Sequence, residues 1–345
     1  WEVLIDGKNV VGLESRSKDP SRFYLPPFSL ETRVMYEMKL TVTMLSTAKS
    51  STASVAVYVV SSKIVAIIEG GAERSLPVGG SLLLDASTSY DQDRYDVSGS
   101  SAGLSFEWTC IQLKPLPSDI CVLSVPLNLT SETLLVSADQ VASAASTSLL
   151  TLVIRDESGV RSASTSVELN VLGNTAPVVS VSASTRASKV NVGDKLRLNG
   201  LVVMQGFGTG AANAVWSVDD PSFDLISSSV VPVDVPLSRS AEVVLILEQF
   251  VLPAGTTLTF TLTCTLFSGE ASNSRISVVT NAPPLPGNFA VSPSTGEELS
   301  EKFEFSSSLW NDDDLPVTYQ YGFLGFSGRM MLVKARSESA YIQSE

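Results

Sequence analysis

The sequence predicts an all-β chain of tandem sandwiches, and three observations carry that prediction. Apolar and polar residues alternate with period two through several segments, no segment sustains apolar residues at spacings of three and four, and an aromatic-bearing strand recurs at a near-constant interval. At 345 residues, 44% of them hydrophobic, the chain can bury several cores and is too long for one ordinary domain.

Taken in order, "VMYEMKLTVTM" puts Val34, Tyr36, Met38, Leu40, Val42 and Met44 on one face of a strand and Glu37, Lys39, Thr41 and Thr43 on the other. "SVELNV" (166–171) is a shorter instance. "TTLTFTLTCTLF" (256–267) turns Leu258, Phe260, Leu262, Cys264 and Leu266 inward and its threonines outward, which suits the β-branched preference for pleated surfaces. Helices longer than a turn or two are not expected.

The aromatic strands repeat. Trp1 opens "WEVLIDG", Trp108 lies in "LSFEWTC", Trp216 in "NAVWSVDD" and Tyr321 in "VTYQYGF", at spacings of 107, 108 and 105 residues. The flanks repeat as well: "LDASTSYDQD" before Trp108 matches "FSSSLWNDDD" before Tyr321, and "FYLPPFSL" (23–30) resembles "FVLPAGTTL" (250–258). One interior aromatic per hundred-odd residues is the signature of an immunoglobulin-like array. Junctions are expected at Ser61-Ser62, at "GNTAP" (173–177) and at "NAPPLPG" (281–287), giving units 1–62, 63–173, 174–281 and 282–345. With Trp1 in a mid-sandwich strand, the first unit is expected to lack its opening strands and the fourth its closing ones. The chain then reads as an excerpt of a longer polypeptide.

Composition narrows the function. A net charge of −13 with no Lys/Arg cluster argues against nucleic acid and anionic membrane surfaces as partners. The longest apolar run, 55–68, is broken by Ser61, Ser62 and Lys63, short of the ~20 residues a spanning helix needs, so this segment is expected to lie outside the membrane. There is no histidine, which removes the usual general base and the commonest zinc ligand. Three cysteines cannot build a four-thiolate site.

Several residues invite a chemical reading. Asp312, Asp313 and Asp314, with Asp91 and Asp93 by alignment, could give oxygen ligands to a weakly held calcium ion. The plainer reading is a polar turn, preferred because no second acidic cluster at fixed spacing completes a six- to eight-oxygen shell. No other cofactor is expected. Cys110 and Cys121 flank a proline-containing loop (Lys114–Pro117) that could bring them together as a disulfide, the alternative being two reduced buried thiols. Cys264 reads as an unpaired core thiol. Asn128, in "NLT", is a glycosylation candidate. "GSSAG" (99–103) fits a nucleophile elbow around Ser101, and "GFGTGA" (206–211) a dinucleotide turn. Neither has the required helix, and the first lacks a histidine, so both read as flexible loops. Trp108, Trp216 and Tyr321 read as core aromatics, not sugar platforms.

Beside these readings stands a resemblance. "LSFEWTC" with its acidic approach and following Cys121, and above all "PPLPGNFAVSPSTGEELSEKFEFSSSLWNDDDLPVTYQYGF", resemble the receptor-for-egg-jelly (REJ) module of polycystin-family membrane proteins and egg-jelly receptors. Gly287, Val291, Pro293, Gly296, Leu299, Phe303, Trp310, Asp312, Asp314, Leu315, Pro316 and Tyr319 match the family pattern; Phe289 and Ser307 stand where that pattern has cysteines, so both halves of one bridge are lost together. The resemblance implies immunoglobulin, fibronectin-III or PKD-like β-sandwiches, outside the cell, with no catalytic residues. It further implies a polycystin-like cell-surface protein of ciliary or flagellar membrane, in which such modules act as an adhesion, ligand-presenting or force-bearing array coupled to a membrane channel. Partners would be other extracellular proteins, glycans, a polycystin-type channel subunit or copies of the chain itself. The alternative is a structural module of an extracellular filament or coat such as a flagellar hair.

Overall fold

The computed structural model describes residues 1–17, 20–94, 96–139, 145–173, 176–183, 189–204, 211–297, 300–312 and 317–344. Antiparallel strands dominate, arranged as successive sandwiches. Helix among the described residues amounts to one α-turn, Leu225–Ser228, capped by Asp224 accepting from the Ser227 amide, and one 3-10 turn, Gly99–Ala102.

Three hydrophobic clusters give the chain its body. The first is small: Val3, Tyr36 and Met38 are buried beneath Leu13, Phe23, Leu25 and Leu30 from the intervening loop. The sheet above them runs in the order Lys8–Asn9, Glu2–Ile5, Met35–Thr43, Ser50–Tyr58. The six-residue apolar face expected along this strand is covered only in its first half. Tyr36 and Met38 are buried and Leu40 partly so, but Val42 and Met44 are exposed, because the hairpin outruns the loop that covers it.

Trp1 also departs from expectation. It is 40% exposed, donates from Nε1 to the Pro20 carbonyl at 2.9 Å and tilts against Phe23, while Val3 takes the interior position. The other three aromatics of the series are buried as the alternation requires. Trp108 donates to the Ser131 carbonyl at 2.8 Å and Trp216 to that of Val243 at 3.2 Å, so neither indole N–H is stranded in an apolar core. Gly200 is needed beside Trp216: a Cβ there would come within 2.3 Å of Leu262 and 2.7 Å of the Val243 oxygen.

The second cluster gathers Leu76, Leu84, Phe106, Trp108, Leu134, Leu150, Leu152, Ile154, Val167, Leu169 and Val171, and the third Val181, Leu198, Trp216, Leu245, Phe260, Leu262 and Cys264. Each lies between two sheets. On one side are the pair Ser81–Asp85 with Thr133–Ser137 and the triplet Val178–Ala183, Leu196–Val203, Ala241–Leu247; on the other is a single eight-stranded sheet that serves both clusters.

A purely serial arrangement of separate sandwiches does not anticipate that wide sheet. Its central strand, Glu73–Pro77, runs parallel to Ser162–Leu172 in register Glu168↔Glu73 through Leu172↔Pro77, and meets Ala271–Val279 antiparallel at Arg275↔Glu73. Side chains reinforce the seam. Ser75 donates to the Asn273 carbonyl at 3.2 Å, Ser274 to that of Glu73 at 2.8 Å, and Arg275 pairs with the Glu73 carboxylate at 3.0 Å. Arg74 is buried here, its guanidinium held by the carbonyls of Gly71 and Glu69, and desolvation lowers its pKa to about 10.

Beyond residue 281, Asn288–Ser292, Glu304–Ser308 and Tyr341–Gln343 form one small sheet, and Tyr319–Leu324 with Met330–Ser337 a separate hairpin. Phe305 and Tyr321 are buried and tilted against each other at 6.2 Å; Phe289 stacks on both at 6.5 and 6.4 Å, and Tyr319 on Tyr321 at 6.4 Å.

Candidate functional site

The densest polar cluster grows from a hairpin turn. Between Thr147–Arg155 and Ser162–Leu172 the segment "DESGVR" closes on itself: the Arg161 carbonyl accepts from the Asp156 amide at 3.1 Å, and Gly159 adopts the positive φ of 69° that the turn requires. The Asp156 carboxylate accepts from Ser158 Oγ at 2.9 Å and from Arg161 N and Nε at 3.2 and 3.1 Å. These bonds point the Arg161 side chain at the short strand Tyr90–Asp91.

There the guanidinium meets Asp91 in a fork, Nη2 to Oδ2 at 2.6 Å and Nη1 to Oδ1 at 2.9 Å, and Nη1 also reaches Asp93 at 2.7 Å and the Ser62 carbonyl at 3.1 Å. Asp91 is 2% exposed, so it needs that partner: an unpaired buried carboxylate would be strongly destabilising. Asp93 in turn accepts from the Ser62 amide at 2.9 and 3.1 Å, and Gln92 accepts from the Lys63 amide at 3.2 Å. The connection out of Ser50–Tyr58 is thereby tied to the second cluster by one arginine and three aspartates.

Electrostatics follow the geometry. The hydrogen bond to Asp91 raises the Arg161 pKa above its already high ordinary value, against the opposing effect of burial. Burial pushes the Asp156 carboxyl up, but the bonds from Ser158 and Arg161 and the Arg161 charge outweigh it and hold the group below the usual carboxylate range. The hub lines a cleft of about 350 Å³ with Arg33, Arg94 and Glu157 at its mouth, the last two paired at 3.2 Å. Three acids, Asp91, Asp156 and Glu157, and three arginines, Arg33, Arg94 and Arg161, line the cleft, leaving it close to neutral.

The sequence-derived candidates fall differently. Asp91 and Asp93 do converge, but around a guanidinium, so a calcium ion using them would have to displace Arg161. Asp312 lies in another part of the chain, and Asp313 and Asp314 fall outside the described residues. No group of three or more acids or cysteines arranged to hold a metal occurs among the described residues. Cys110 and Cys121 are disulfide-bonded, with Cα atoms 5.3 Å apart, and Cys264 is a free buried thiol whose pKa burial raises. Asn128 is exposed, and its Oδ1 accepts from Thr130 N at 3.0 Å and Thr130 Oγ1 at 2.7 Å.

"GSSAG" is not the flexible loop expected. It is a 3-10 turn pinned by the Glu132 carboxylate, which accepts from Ser100 N and Oγ at 2.9 and 2.8 Å, and Gly99 is required because a Cβ would lie 2.7 Å from the Ser87 oxygen. Most of "GFGTGA" lies outside the described residues. Sequence reasoning missed Arg161 and Asp156. The available signal was an Asp and an Arg bracketing a Ser-Gly turn, with no indication of the remote carboxylates they would meet.

Comparison with known proteins bears on what such an arrangement belongs to. Human polycystin-1 is 26% identical over 273 residues, which are 76% of this chain and 6% of that protein. Among solved structures, the N-terminal four Ig domains of Dscam1 isoform 6.44 align over 99% of this chain and 83% of theirs at 12% identity and TM-score 0.24. The N-terminal Ig1-2 module of the Drosophila receptor protein tyrosine phosphatase DLAR aligns over 64% of this chain and all of its own at 9% identity and TM-score 0.21. Scores this low carry no argument, and the fold rests on the strands themselves. A family profile described as the REJ domain matches residues 1–344, and this chain belongs to that family.

Proposed function

We propose that the chain works as a stiff, force-bearing spacer and adhesion segment in a polycystin-like protein of the ciliary or flagellar surface, coupling an extracellular ligand to a membrane channel. The observation that supports this reading is the eight-stranded sheet that serves two hydrophobic cores and crosses between them at Arg275↔Glu73, a bonded contact where a tandem array ordinarily has only a linker. In this reading the units are 1–62, 63–173, 174–281 and 282–345, Asn128 carries a glycan, and any calcium is weakly held. The test is the unfolding of residues 63–281 within the whole chain under force or denaturant. One cooperative event is expected, and two independent transitions would overturn the spacer reading.

A second reading, an extracellular filament module, is favoured by the outward face of the wide sheet. It is a hydroxyl surface, with Thr151–Ser166 at 3.0 Å and Thr259–Ser277 at 3.2 Å bridging adjacent strands. Sequencing the complete polypeptide separates the two, since membrane spans downstream support the first and their absence the second.

A further inference from the structure

Residues far apart in sequence meet at an early loop. Its ends are closed by bonds from Arg16 N to the Tyr24 carbonyl at 2.9 Å, from Tyr24 N to Ser15 Oγ at 3.1 Å and from Ser15 Oγ to the Arg22 carbonyl at 3.3 Å. Trp1 braces the same loop, tilting against Phe23 and donating to the Pro20 carbonyl, so the indole that leaves the core has work outside it. The loop carries Ser17 and Arg22 to the sheet of Asn288–Ser292, Glu304–Ser308 and Tyr341–Gln343. There Arg22 pairs with the Glu304 carboxylate and lies over the Tyr341 ring, 4.2 Å from its centroid, while Ser17 Oγ shares a hydrogen bond with the Tyr341 hydroxyl. Glu304 and Tyr341 stand on paired strands, in register Glu304↔Gln343 and Ser306↔Tyr341, so one guanidinium spans both. Its field reaches further in: burial raises the Tyr321 pKa, and the Arg22 charge opposes that rise.

We propose that this contact is a releasable clasp, by which the early loop docks on the late sheet and closes the chain into a ring that opens without unfolding. The character of the joint supports release. Arg22 and Glu304 keep 32% and 34% of their side chains exposed, where an ion pair is weak and screened by salt, and a cation over a half-exposed ring adds only modestly to it. No core is shared across it: the cluster of Val3, Tyr36 and Met38 draws no apolar neighbour from beyond Val59 among the described residues, so opening uncovers little apolar surface. Charge decides the pairing. The loop offers a cation, and the sheet answers with one carboxylate and the face of a phenol ring, a complementarity independent of the spacer reading above.

Energy transfer between dyes on Lys8→Cys and Lys302→Cys, both exposed, reads the distance between the two regions in the otherwise intact chain. Arg22→Glu and Glu304→Arg are each expected to raise the open population about tenfold, and the two together to restore closure by exchanging the charges. About 1 M sodium chloride should open the parent chain in the same direction. A distance unchanged in both single variants, or a double variant no more closed than either single one, overturns the proposal. A second measurement does not depend on reversing a charge. In Arg22→Lys, a zero-length carbodiimide crosslink from Lys to Glu304 is expected both in this chain and in the complete polypeptide. Its absence from the complete polypeptide would mean that other sequence occupies the sheet, and would overturn the clasp.

Discussion

Between Glu73–Pro77 and Ala271–Val279 the chain is joined by one paired position, Arg275↔Glu73, two seryl hydrogen bonds and an ion pair, whereas at Tyr90–Asp91 two paired positions, Ile64↔Asp91 and Val65↔Tyr90, are joined by a guanidinium and its carboxylates. The first junction divides its side-chain bonding among Ser75, Ser274 and Arg275, so removing any one of those side chains leaves the other two. The second adds to its backbone pairing a charge cluster centred on Arg161, and removing that side chain leaves Asp91 buried without its counter-charge. Bonding divided among several side chains tolerates the loss of one of them; a guanidinium shared by three carboxylates does not.

The largest expected effect therefore belongs to the hub. Arg161→Ala should destabilise the fold by about 3–5 kcal/mol in denaturant titration, the range for stripping one partner from a buried ion pair. Arg161→Ala combined with Asp91→Asn should recover part of that loss, because the stranded charge goes with the guanidinium. If the single variant is as stable as the parent, the contrast between the joints fails.

An effect of about 1–3 kcal/mol is expected from Gly71→Val at the seam, where a Cβ would lie 2.2 Å from the Arg275 carbonyl and the strands must part to admit it. The diagnostic is qualitative as well: the single unfolding event expected of residues 63–281 should divide into two. A stable variant that keeps one transition would show that the seam does not couple the cores.

The smallest effect is pH-dependent. Because the folded Asp156 pKa lies below its ordinary value of 3.8, its contribution is fully present above that value and is lost as pH falls through the depressed folded value. Stability measured from pH 5 downward should therefore decline less steeply in Asp156→Asn than in the parent. Identical slopes would remove Asp156 from the account.

What could be read from sequence depended on whether the cause was local. Trp108, Trp216, Phe260 and Cys264 were legible because alternation along their own strands puts them inside. Trp1 looked equivalent by spacing, yet it precedes its strand, tilts against Phe23 and donates to the Pro20 carbonyl at the surface. Cys110 and Cys121 were legible because eleven residues and a proline turn separate them. Arg161 was not, since Asp91 lies 70 positions earlier and only the completed sandwich brings the two together. The wide sheet was hidden for the same reason: Glu73–Pro77 takes its partners from residues 168–172 and 275, and nothing in "ERSLP" says that it will have two.

The two larger cores are linked by the Arg275↔Glu73 bridge as well as by the chain that runs from one to the other. A pull that separates them has two connections to overcome, and the bridge must open before the connecting chain can straighten.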